Sequence, residues 1–74
     1  MNIKTWFKHT SRHERELVAR DAETTLAYLD QLAGGHRHPS PALARRLEQA
    51  SLLHTPNHIL RREHLRPDIW EHVA

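Results

Sequence analysis

Apolar residues recur at helical spacing at the start of the chain. Ile3, Trp6 and Phe7 stand at positions i, i+3 and i+4, which places them on one face of a short helix. Asn2 precedes them and is a residue type that caps helix starts. The pattern therefore predicts a first helix that begins directly after Asn2 and turns this apolar face inward.

A second helix is predicted from a capping signal followed by a narrow apolar stripe. Ser11 and Glu14 have the spacing of a capping box, in which each side chain satisfies a backbone N–H at the helix start. The helix should run to about Ala22, and its inward residues should be Leu17, Val18 and Ala22.

A third helix follows a break in the apolar pattern. Thr25 can cap it, and Leu29 and Leu32 supply inward residues three apart. The Gly34-Gly35 pair should end this helix, because glycine adopts the left-handed conformation that closes a helix at little cost.

Ser40-Pro41 has the form of a cap followed by proline at the first helical position, and it predicts the start of a fourth helix. We expect this helix to end near Ser51, with an apolar stripe formed by Leu43, Ala44, Leu47 and Ala50.

The last third of the chain has weaker signals. Residues 52–57 have the pattern of a loop. A short fifth helix is either capped by Thr55-Pro56 within this stretch or begins only near Arg61. Arg66-Pro67 should stop it, since proline disfavours the helical conformation in the residue before it. We expect Ile69 and Trp70 to fold back onto the core.

Composition narrows the class of protein. With 74 residues the chain makes one domain, and the abundance of Leu, Ala, Arg and Glu favours an all-α fold without a substantial sheet. The absence of cysteine excludes disulfides, thiolate zinc sites and cysteine nucleophiles, and fits a reducing compartment. No apolar run resembles a membrane span or a secretory signal, so we expect a cytoplasmic protein without a membrane partner.

The charge is unevenly distributed. The formal net charge is only +2, yet residues 31–47 contain no acidic side chain and the isoelectric point is about 9.7. This asymmetry suits a polyanionic partner, although an ordinary solvated basic surface explains it equally well.

Residues 17–32 resemble the helix-turn-helix of phage Cro and lambda-type repressors. Ala19 is a small residue where two such helices cross, Thr25 opens the second helix, and Leu29 and Leu32 anchor it. Residues 65–70, Leu-Arg-Pro-Asp-Ile-Trp, are similar to the tail of Cro-like and YdaS-like phage regulators.

The resemblance implies a compact five-helix, lambda-repressor-like DNA-binding domain with its helix-turn-helix at about residues 15–34. It also implies a sequence-specific transcriptional regulator of phage, prophage or bacterial origin, acting as a repressor at a double-stranded DNA operator. The chain departs from the family pattern at Glu23, where the turn usually has glycine, and at Arg61, where a serine or threonine cap is usual. Residues 52–58 are also longer than usual.

The resemblance directs the outward face of the third helix into the major groove. Gln31 can pair with adenine, Asp30 can accept from a cytosine amino group, and apolar side chains can contact thymine methyls. The expected base-reading residues are Thr25, Leu26, Ala27, Asp30 and Gln31. The expected phosphate contacts are Arg12, Arg15, Tyr28, His36, Arg37 and His38, with packing on the second helix an equal alternative for Tyr28.

Eight histidines raise the question of a metal site. The pairs with suggestive spacing are His9 with His13, His36 with His38, and His54 with His58. Each pair needs further ligands from elsewhere, so we expect no intrinsic metal and no cofactor. We expect no enzyme and no small-molecule substrate either, because no serine, histidine and acid arrangement suggests a cleft.

Two partner hypotheses remain open from the sequence. A DNA-binding domain of this size is expected to form a homodimer on a two-fold operator, with apolar contacts from Ile69, Trp70 and Val73. The small net charge also permits an antitoxin-like or inhibitory module that binds a protein instead of DNA.

Overall fold

The computed structural model describes residues 1–70, and Val73, one of the expected dimer contacts, lies outside them. Within those 70 residues the chain is helical and has no strand, which confirms the all-α class. The helices are α1 (Ile3–His9), α2 (Arg12–Asp21), α3 (Leu26–Ala33), α4 (Pro41–His54) and α5 (Arg62–Leu65).

Local capping fixes the starts of the first four helices, as the sequence predicts. Each capping side chain accepts a hydrogen bond from the backbone N–H three residues later. The capping residues are Asn2, Ser11, Thr25 and Ser40. Ser11 forms the complete capping box, because the Glu14 carboxylate also accepts from the Ser11 N–H at 2.8 Å.

The predicted glycine stop of α3 is also confirmed. Gly35 has a φ of 79°, in the left-handed region. The His36 N–H bonds to the Gln31 carbonyl at 3.0 Å, and the Gly35 N–H bonds to the Leu32 carbonyl at 3.2 Å. This pair of bonds satisfies two of the carbonyls that a helix end leaves free.

The predicted end of α4 near Ser51 is wrong, because the helix continues to His54. Ser51 is fully buried, and its hydroxyl donates to the Glu48 carbonyl and accepts from the Leu60 N–H. A serine that the sequence presents as a terminator is thus part of the interior. Its partner at Leu60 belongs to the segment that returns over α4.

The fifth helix begins after Arg61, so the alternative start at Thr55-Pro56 is wrong. No side chain caps α5, and Arg66 follows its last residue, immediately before the proline that was expected to stop it. Thr55 instead ends α4, where its side chain is buried.

The core draws on every helix. Each contributes at least one side chain that is less than a tenth exposed. The larger buried residues are Trp6, Val18, Leu29, Leu32, Leu43, Leu47, Leu60 and Leu65. Leu17, which was expected to face inward, is only half-buried.

The tail folds back in part. Trp70 is partly buried against the core, and the guanidinium groups of Arg45 and Arg62 lie 5.4 and 5.3 Å from the centre of its ring. Ile69 remains 43% exposed, so the prediction that it returns to the core is wrong.

Candidate nucleic-acid interface

Four residues join α2 to α3 through a closed turn. Glu23 has a φ of 60°, the only positive φ of a non-glycine residue among those described. The Thr24 N–H bonds to the Ala19 carbonyl at 2.9 Å, and the Glu23 N–H bonds to the Arg20 carbonyl at 3.1 Å. These bonds end α2 in the way that a turn with glycine ends a helix. The positive φ costs Glu23 about 1 kcal/mol in backbone strain, which a glycine would not have.

Helix α4 supports this turn from behind. Nε of Arg46 donates to the Ala22 carbonyl at 2.9 Å, and His54 pairs with Asp21 at the last residue of α2. Arg46 also lies 3.8 Å from the Glu23 carboxylate, but both side chains are solvent-exposed and such a pair adds little stability. Contacts from α4 thus hold the end of α2 and the first residues of the turn that leads to α3.

The exposed side of α3 is the one that the leucine spacing predicts. Leu29 is fully buried and Leu32 is 5% exposed, whereas Ala27, Asp30 and Gln31 are open to solvent. These three stand at i, i+3 and i+4 and so form one continuous face. Thr25, also exposed, stands at the amino-terminal end of α3, while Leu26 and Tyr28 are half-buried.

The polar groups on this face are suited to hydrogen bonding more than to charge attraction. The Gln31 amide offers donors and an acceptor, and the Asp30 carboxylate offers acceptors. No lysine or arginine lies in α3. Any attraction to a polyanion must therefore come from the segments beside the helix.

The segment after α3 supplies exposed basic and titratable side chains. His36, Arg37 and His38 are all exposed, in the stretch between the Gly35 turn and the cap of α4. The structure brings these residues to the carboxyl-terminal end of α3, as their sequence positions require.

The two arginines expected at the start of α2 have different environments. Arg12 is well exposed and forms an ion pair with Glu16 one turn later at 3.0 Å. Arg15 donates to the carbonyls of Phe7, at 3.1 Å, and Thr10, and its guanidinium lies 4.8 Å from the centre of the Phe7 ring. Arg12 is accessible to a ligand that replaces this exposed ion pair, whereas Arg15 joins α2 to the end of α1.

One charged side chain at this end of α2 has a shifted pKa. The hydrogen bond from the Ser11 N–H to the Glu14 carboxylate lowers the pKa of Glu14 below its ordinary value. The carboxylate already occupies the amino terminus of α2, where an anion would otherwise be attracted.

The histidines do not assemble into a ligand set among the described residues. No group of three or more histidine, aspartate or glutamate side chains is placed to hold a metal ion in residues 1–70. His9 stacks on His58 with ring centres 4.9 Å apart, and His54 pairs with Asp21. His9, His54 and His58 thus each contact a residue other than the histidine four positions away in the sequence.

Sequence reasoning missed Arg46 as a residue that shapes this surface. Its bond to Ala22 joins residues 24 apart, and no local pattern signals such a pair. Its place among the acid-free residues 31–47 identified it only as part of a basic stretch.

None of the helices that the structure describes is both long and apolar enough to cross a lipid bilayer. No family model, curated protein or solved structure matches this chain.

Proposed function

We propose that the chain is a sequence-specific double-stranded DNA-binding transcriptional regulator in which α2, the turn and α3 act as a helix-turn-helix. The observation that carries the proposal is the orientation of α3. Leu29 and Leu32 anchor it in the core, while Ala27, Asp30 and Gln31 face solvent as one surface. An exposed helical face held by a second helix behind it is what major-groove reading requires.

In this mechanism α3 reads base edges and the flanking segments hold the backbone. Gln31 bonds an adenine through its amide, and Asp30 accepts from a cytosine amino group. Arg37 and Arg12 contact phosphates on either side, which fixes the register of the helix in the groove. Tyr28, which is half-buried, adds a phosphate contact through its hydroxyl.

The regulatory role follows from the likeness of residues 17–32 and 65–70 to Cro-type phage repressors. A small domain that occupies an operator excludes other proteins from the same DNA, so the proposed effect of binding is repression. A homodimer on a two-fold operator is part of the same proposal.

A selection from random double-stranded DNA tests the proposal directly. The protein should enrich a defined sequence, and its affinity for that sequence should fall steeply as salt concentration rises. The failure to enrich any sequence, with binding that is equal for all DNA, would reject it.

One observation favours a second candidate, an antitoxin-like or inhibitory protein-interaction module. The exposed face of α3 bears a single charged side chain, Asp30, and no cation, so it is also acceptable at a protein interface. The same selection separates the two candidates, because this module would show no preference among DNA sequences.

A further inference from the structure

The outer face of α4 is apolar at one end and basic at the other. Leu52 is 42% exposed and Leu53 is 70% exposed, although both lie in the helix. They border an open depression of about 670 Å³ that is also lined by Asp21, Arg45, Arg46, Gln49 and Ala50. The two neighbouring leucines and the depression beside them form an apolar patch that a partner could cover.

Along this face, two leucines follow Gln49 at the same spacings at which two arginines precede it. Leu53 lies four residues after Gln49 and Arg45 four residues before it, while Leu52 and Arg46 lie three residues after and before. When two such helices cross antiparallel at Gln49, each leucine of one lies opposite an arginine of the other. The face is therefore complementary to a second copy of itself.

We propose that this face is where two copies of the chain associate, with their α4 helices antiparallel and Gln49 at the two-fold axis. The aliphatic part of an arginine side chain can cover a leucine while its charged end stays in water. At the axis, the two Gln49 amides can each donate to and accept from the other. This inference rests on the proposed function in that a two-fold operator requires a two-fold protein.

Charge supports the same arrangement. The carboxyl end of a helix carries partial negative charge, and Leu52 and Leu53 lie in the last turn of α4. Asp21 adds a carboxylate beside that end. In the antiparallel pair, the exposed Arg45 of one copy approaches this negative end of the other copy, while Arg46 keeps its bond to the Ala22 carbonyl of its own chain.

The contact is small, which sets its strength. Its depression is lined by seven residues, far fewer than the roughly 20–30 residues that each partner contributes to a stable interface. We therefore expect a weak, concentration-dependent dimer in the free protein, which two adjacent operator half-sites strengthen by holding both copies close together.

Because the chain has no cysteine, single cysteines can test the axis. Gln49→Cys should cross-link two copies rapidly under mild oxidation, since residues at a two-fold axis face their own symmetry mates. Ala42→Cys is the matched control, exposed on the same helix two turns earlier and far from its mate in the antiparallel pair. Equal cross-linking of both variants would overturn the proposed register.

Sedimentation equilibrium of the full chain, up to millimolar concentration and without DNA, tests the association itself. Leu53→Arg should weaken dimerisation by about tenfold or more, because it removes the apolar side chain and places a cation opposite Arg45 of the other copy. Ile69→Arg, which makes the same change at an exposed apolar residue of the tail, should leave it unaltered. A monomer at all concentrations, or a loss confined to Ile69→Arg, would overturn the inference.

The two proposals fail separately. A protein that dimerises through α4 but enriches no DNA sequence keeps this inference and loses the proposed function. A protein that binds one DNA sequence but does not dimerise through α4 keeps the proposed function and loses this inference.

Discussion

The indole Nε1 of Trp6 donates a hydrogen bond to Oγ1 of Thr55 over 3.1 Å, and both side chains are buried. The bond joins α1 to the end of α4 across 49 residues of sequence. The Thr55 hydroxyl also lies within bonding distance of the carbonyls of Ser51 and His58. The Thr55 hydroxyl thus links the Trp6 side chain, the end of α4 and the segment that leads to α5.

Thr55→Val tests how much this hydroxyl contributes to the free energy of unfolding. The variant keeps the approximate shape but leaves the Trp6 N–H buried without its acceptor, so the free energy of unfolding should fall by about 1–3 kcal/mol. Urea denaturation measures the change. Thr55→Ser retains the hydroxyl and should lose less; an equal loss in both variants would show that the methyl group matters instead.

Glu23→Gly should stabilise the protein. The left-handed conformation at this position costs a non-glycine residue about 1 kcal/mol, and glycine removes that strain. Glu23→Ala is the control, because it also deletes the exposed carboxylate but keeps a side chain at the strained φ. Thermal denaturation should rank the glycine variant above the alanine variant, and the opposite order would contradict the strain.

Arg15→Met and Arg12→Met separate structural from binding arginines. Loss of Arg15 removes the donor to the Phe7 and Thr10 carbonyls, so unfolding free energy should fall by about 1–3 kcal/mol. Loss of the exposed Arg12 should change it by less than about 0.5 kcal/mol, while the salt dependence of DNA binding becomes shallower. An Arg15 variant of unchanged stability and shallower salt dependence would instead make Arg15 a phosphate contact.

Gln31→Ala should alter which DNA sequence the protein prefers. A lost bidentate contact to a base costs about 1–3 kcal/mol of discrimination at one position of the site. Selection from random DNA with the variant gives the readout. Asn57→Ala, which removes an exposed amide from the loop after α4, is the control and should leave the preferred sequence unchanged.

Arg37→Ala should weaken binding to all sequences alike. Removal of one phosphate contact lowers the slope of affinity against salt concentration, on logarithmic scales, by about 1. Titrations of the selected site and of an unrelated DNA at several salt concentrations measure both effects. A change in preferred sequence with an unaltered slope would place Arg37 at a base instead.

Acid should weaken the fold partly through the start of α2. The hydrogen bond from the Ser11 N–H lowers the pKa of Glu14 in the folded chain, so this contribution is present above its ordinary value of 4.5 and is lost as pH falls through the lowered value. Glu14→Gln cannot titrate and should show a shallower loss of stability over that range. Parallel denaturation curves for the two proteins as pH is lowered would contradict the assignment.

The starts of α1 to α4 and the stop of α3 were predictable because each depends on residues within about one helical turn. A capping side chain and its acceptor N–H are three residues apart, so the order of residues suffices to define them. The outward face of α3 followed in the same way, since burial of Leu29 and Leu32 leaves the opposite side exposed.

The sequence by itself therefore determined the all-α class, four helix starts and the exposed face of α3. Tertiary structure decided the length of α4, the internal role of Arg15 and the support that Arg46 gives to the turn. Ser51 can lie inside α4, buried, because the Leu60 N–H donates a hydrogen bond to its hydroxyl. Leu52 and Leu53 are exposed because no element covers them among residues 1–70. Each of these outcomes depends on which parts of the chain meet in space, and local residue order does not specify those meetings.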